Sequence, residues 1–169
     1  MTQTGYPFEF MGSNKVGADK FLLETLVYVF HSEKSGHSYQ VNMEHYVEHL
    51  YGVKFFDMST DNRIGRFSQL TSTYEPRTIF RTVADIAADV CQRDPDASFF
   101  FIGAADSRDR SSVSTRRYRV YTAFVNDLNL GDRFSIIELK EQSMSVLINR
   151  RAVTDIGTYM QRIIDFVMD

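Results

Sequence analysis

The chain has 169 residues, the length of about one domain, with 43% hydrophobic and 24% charged residues. That balance excludes a disordered, coiled-coil or collagen-like chain, and a net charge of −3 excludes a general polyanion binder. The longest strongly apolar stretch, 21–30, contains Glu24 and Thr25 and is about half of the ~20 residues a membrane helix needs. Residues 1–10 lack a basic segment followed by an apolar one, so no secretory signal is expected. Cys91 is the single cysteine, which leaves no internal disulfide and points to a reducing, cytoplasmic setting away from membranes.

The first half of the sequence reads as strands. Residues 20–31 are rich in Leu, Val, Tyr and Phe on both alternating faces, as in a strand covered on both sides. A turn follows at Glu33-Lys34-Ser35-Gly36. From 39 to 55 the odd positions are mostly apolar or aromatic and the even ones mostly polar, including Gln40, Asn42, Glu44, Glu48 and Lys54. This is the period of a half-buried strand, and its length predicts a bend or bulge near Gly52. Turn chemistry at 60–65 and a short strand at 67–70 complete this part.

After Pro76 the period changes. Ile79, Val83, Ile86, Ala87 and Val90 mark one face of a helix over 76–92, opened by the proline. Residues 98–102, Ser-Phe-Phe-Phe-Ile, form a short central strand, followed by a polar loop over 103–114. A second helix, 115–128, turns Tyr118, Tyr121, Phe124, Val125 and Leu128 inward and stops near Gly131. Strands at 134–139 and 144–148 pair as a hairpin, and a third helix spans about 152–168. The sum is a single α+β domain over 1–169, strand-rich in 1–72 and mixed in 73–169. Its mostly antiparallel sheet is covered on one face by about three helices.

Four short motifs recur in order: Tyr6 and Phe8; Thr82-Val83-Ala84-Asp85-Ile86; Phe101-Ile102-Gly103; and Arg117-Tyr118-Arg119-Val120-Tyr121. In this the chain resembles a group of small uncharacterised bacterial proteins. They carry an N-terminal Tyr-x-Phe meander, a Thr-Val-x-x-Ile helix and an Arg-x-Arg-x-x-Tyr/Phe helix. The resemblance implies an α+β fold and a bacterial or mobile-element origin, and no activity.

Two constellations carry chemistry. His45-Tyr46-Val47-Glu48-His49 has the form H-x-x-E-H of the inverted zinc-protease signature. That chemistry needs a helix, which puts both histidines on one face. On a strand they lie ~13 Å apart, at ~3.3 Å per residue, too far for one metal. Because period two fits the longer window, no metal site is expected. Cys91 reads as a buried inert thiol on the first helix, and the chain contains no G-x-S-x-G elbow, so no catalytic residue and no cofactor is assigned.

The second constellation is the segment 103–119. Arg108, Arg110, Arg116, Arg117 and Arg119 stand there with Asp109 as the only acid in 107–119, a local charge of +4. A strand end, a polar loop and a helix start capped by Ser114 or Thr115 would place backbone N–H groups and arginines together. The candidate anion- or nucleic-acid-binding residues are therefore Arg108, Arg110, Ser114, Arg116, Arg117 and Arg119. The alternative is that the arginines pair with Asp106 and Asp109 and pin the loop to the sheet. The leading function is a non-enzymatic binding module that contacts an anionic partner, nucleic acid or phosphate, through this loop, or a protein partner. The alternatives are an enzyme acting on a phosphate-containing substrate there, and a homo-oligomeric subunit assembled through a sheet edge.

Overall fold

Apolar and aromatic residues, alternating with polar ones most clearly over 38–46, build the first four strands. In the computed structural model, which describes residues 4–15, 17, 19–58, 75–103, 109–111, 113–128 and 130–167, these are Phe8–Lys15 (β1), Leu22–His31 (β2), Ser38–Tyr46 (β3) and Leu50–Asp57 (β4). They form an antiparallel meander. Pro76 opens the helix Pro76–Arg93 (α1), which leads into Ser98–Ile102 (β5), parallel to β4. A parallel pair needs such a crossover. The helix Arg116–Asp127 (α2) follows, then Phe134–Leu139 (β6), Met144–Asn149 (β7) and the helix Ile156–Val167 (α3). The result is one seven-stranded sheet in the order β1-β2-β3-β4-β5-β7-β6, antiparallel except between β4 and β5. The fold is α+β, with β1 and β6 at the sheet edges.

The two faces of the sheet carry separate cores. On one, Tyr28, Phe30, Tyr39, Val41, Met43, Tyr51 and Phe99 pack with Ile79, Ile86 and Val90 of α1. On the other, Leu50, Phe100, Met144, Val146 and Ile148 pack with Tyr159, Met160 and Ile163 of α3. The helix α2 lies on the α1 side, where the Tyr121 ring meets Phe55, Phe80 and Phe101 at 5.2–5.8 Å. The expectation of helices on one face is thus corrected. The physical reason is visible in β5 and β7, whose residues are buried on both faces, so each face requires a cover.

The segment 39–55 is two strands, not one bent strand. The chain reverses at 47–49, with Glu48 and His49 at φ +63° and +60°. Tyr39 pairs with Asp57, Met43 with Val53 and His45 with Tyr51. Odd residues therefore oppose odd residues, and the alternation runs through the turn without a break. No glycine, proline or asparagine marks this reversal, because two ordinary residues adopt its left-handed conformation. Gly52 serves another purpose: a Cβ there would stand 2.7 Å from Cζ of Phe100, so its missing side chain makes room for that ring.

The third helix begins at Ile156, four residues later than expected. Ala152 and Val153 donate backbone hydrogen bonds to the Asn149 carbonyl in a turn, and Asp155 Oδ1 accepts the Thr158 N–H at 3.0 Å as the cap. The turn expected at 60–65 and the strand at 67–70 lie outside the described residues. Among the described residues no helix is long and apolar enough to cross a membrane.

Candidate functional site

The expected anion-binding residues have different fates. Arg108 lies outside the described residues. Arg110 and Arg116 are exposed. Arg117 is 1% exposed; burial pushes Tyr121 up to about 12 even though the Arg117 charge opposes the rise. Arg119 folds back and donates from Nη1 to the Ser114 carbonyl. Ser114 itself sits at φ +47°, held by its N–H on the Lys140 carbonyl at 2.8 Å. The structure thus brings Ser114 and Arg119 together and turns Arg117 inward.

The start of α2 is closed by the chain's own groups. Thr115 is the cap, and its hydroxyl accepts from the Tyr118 N–H at 3.2 Å and donates to the Gly103 carbonyl. Asp109 Oδ1 accepts the Arg116 N–H at 2.9 Å. Thr115 N–H in turn donates to Ser143 Oγ at 2.9 Å. A Cβ on Gly103 would lie 2.3 Å from the Tyr118 nitrogen, so the end of β5 approaches α2 as closely as glycine permits.

The histidine motif spans strand and turn rather than helix. The His45 ring stacks on Tyr51 with centroids 4.3 Å apart. His49 Nδ1 lies 2.8 Å from Asp94 Oδ2, and Tyr51 donates to the same oxygen at 3.0 Å. Burial raises the Asp94 carboxyl, but His49, Tyr51 and the Asp96 N–H together outweigh it and hold the group below its ordinary value. Among the described residues no group of three His, Cys, Asp or Glu side chains is placed to hold a metal.

One feature is not found by sequence reading: a cavity of about 620 Å³ between α1, α2 and the sheet. Its floor is Val53, Phe55, Phe99, Phe101 and Leu147, its α1 wall carries Phe80, Ala84, Ala87 and Cys91, and its α2 wall carries Tyr121, Phe124, Val125 and Leu128. The volume falls within the range of about 300–1,000 Å³ typical of ligand sites, far above the voids of a close-packed core. At one end Phe80 stacks edge-on against Tyr121 at 5.2 Å and lies 5.3 Å from Phe124. The turn of α1 at Cys91 is eleven residues further on, about 16 Å at 1.5 Å per residue, and Arg133 and Phe134 stand at that end.

The walls are almost wholly apolar, so water finds few hydrogen-bond partners there. Among the described residues the charged lining side chains are Lys54 and Arg133, with no acid. Lys54 Nζ pairs with Glu44 at 2.8 Å. Arg133 holds its guanidinium 5.5 Å from the centre of the Phe134 ring. Burial pushes the Cys91 thiol up, while Arg133 opposes this. The signal that could have revealed the cavity is the run of small residues Ala84, Ala87 and Ala88 on α1, too small to fill the space opposite Phe124 and Leu128. Comparison of the chain with protein-family models, with curated proteins and with solved structures finds no match, so geometry carries the functional reading.

Proposed function

We propose that the protein is a non-enzymatic binding module whose cavity between α1 and α2 takes an apolar ligand. The observation that carries this reading is the cavity itself, about 620 Å³ lined by Phe, Val, Leu and Ala side chains from two helices and four strands. An apolar guest removes that lining from water and gains contacts that water cannot make. The test uses 1-aminoanthracene, an uncharged fluorescent probe. One probe per chain is expected to bind with enhanced fluorescence, and Ala87→Phe, which fills the space, is expected to abolish binding while retaining a cooperative thermal transition. Absence of probe binding to the native chain, or binding unaffected by Ala87→Phe in the folded variant, overturns the reading.

One observation favours a second contact, with an anionic partner. Arg110 and Arg116 both face solvent beside the start of α2. A single-stranded oligonucleotide bound there would lose affinity steeply with salt, and Arg110→Ala with Arg116→Ala would weaken it. Salt-independent binding, or none, removes this contact.

A further inference from the structure

We infer that the ligand of this cavity is a single-chain amphiphile with a carboxylate head, its chain lying between α1 and α2 and its head at Arg133. The inference rests on the cavity being a binding site and adds the ligand's polarity and orientation. The cavity is long and has different ends. One is lined by the rings of Phe80, Tyr121 and Phe124. The other carries Arg133, which is exposed and sits at the rim above Phe134, itself part of the wall. Among the described residues no carboxylate pairs with Arg133, and its guanidinium lies over the Phe134 ring. The other lining cation, Lys54, already has Glu44. An apolar cavity with Arg133 at one end and no acid among its described lining residues complements a chain that ends in one negative charge. The planar guanidinium also suits a carboxylate better than an ammonium would.

Cys91 supplies an internal reporter. It lines the cavity at the Arg133 end and is the single cysteine of the chain, so its modification by N-ethylmaleimide is read by mass without ambiguity. The experiment measures displacement of 1-aminoanthracene by dodecanoate and by dodecanol, and protection of Cys91 by each. Dodecanoate is expected to bind about tenfold more tightly than dodecanol, the scale of one partly exposed charge contact. Both are expected to slow Cys91 modification. Arg133→Gln should remove the preference and leave dodecanol binding unchanged, and Arg133→Lys should restore part of it. Equal binding of the two ligands, or a preference that survives in Arg133→Gln, overturns the head assignment while the cavity reading stands. If neither ligand displaces the probe or protects Cys91, both fall. Should Arg133→Gln fail to fold, the native comparison and the Cys91 protection decide the matter alone.

Discussion

Asp109 Oδ1 lies 2.9 Å from the backbone nitrogen of Arg116 and accepts its hydrogen bond. Arg116 stands in the first turn of α2, where a cation opposes the helix dipole, and the Asp109 carboxylate meets the same helix end. Replacing Asp109 by Ala is expected to lower stability by about 1 kcal/mol. In that background Arg116→Ala recovers part of the loss, whereas in the native chain it changes stability by less than about 0.5 kcal/mol. Urea unfolding of the four proteins measures the coupling, and strict additivity would disprove it.

Asp94 joins the end of α1 to the β3–β4 turn through His49 and Tyr51. Its carboxyl titrates below the ordinary value. The contribution to stability is therefore complete above about pH 4 and is lost as pH falls through the depressed value. Asp94→Asn should be clearly less stable than the native chain at pH 7, and the gap should narrow below pH 4. Denaturant titrations at pH 7, 5 and 3 check this, and a gap that widens in acid would refute it.

Gly52 and Phe100 form a lock across the parallel strand pair. Gly52→Ala sets a methyl group 2.7 Å from the Phe100 ring, itself against Tyr46 at 5.7 Å, and is expected to cost about 1–3 kcal/mol. Adding Phe100→Leu to Gly52→Ala should cost less than the two single changes predict, because the clash has been removed. Thermal unfolding of the pair tests it.

Three tyrosines face carboxylates at or near α1. Tyr6 donates to Glu75, Tyr28 to Asp89 at 2.9 Å and Tyr51 to Asp94. The Glu75 hydrogen bond raises Tyr6; burial first, then Asp89 and Asp94, raise Tyr28 and Tyr51. A raised value means that the folded state holds these protons when the unfolded chain releases them. Their stabilisation is present below about pH 10 and is lost as pH rises above it. Tyr28→Phe with Tyr51→Phe should lower stability at pH 7 and make its decline above pH 10 shallower. Ultraviolet titration of phenolate followed alongside circular dichroism measures both.

Legibility in the sequence follows the range of the forces. The helices α1 and α2 and the strands β5, β6 and β7 announce themselves through local period and the proline, and the expected bounds differ little from the observed ones. The β3–β4 reversal hides because parity is preserved across Glu48 and His49, and a left-handed turn without glycine leaves no local mark. Placement of α3 on the opposite face is a matter of which side of β5 and β7 remains uncovered, which no single segment encodes. The arginines of 103–119 are conspicuous as a string, yet Arg117 points inward and Arg119 bonds the backbone, because side-chain direction depends on the helix phase and on Gly103. The cavity is least legible of all: Phe124 and Leu128 have the spacing of core residues, and only the distance between two helices decides whether such a face meets another or a space.

The hydroxyl bonds along α1 leave the two walls of the cavity with unequal compliance. One flank of α1 is fastened near both ends, at Glu75 and Asp94, and between them at Asp89. The helix is a fixed rail whose alanines face the space. The helix α2 is fastened through its early turns, Thr115 to Gly103 and Ser143 and Thr122 to Ser145, while its last turn, 124–128, meets the cavity. Under the proposed reading, a bulkier guest is therefore expected to displace the Leu128 end of α2 before it displaces α1.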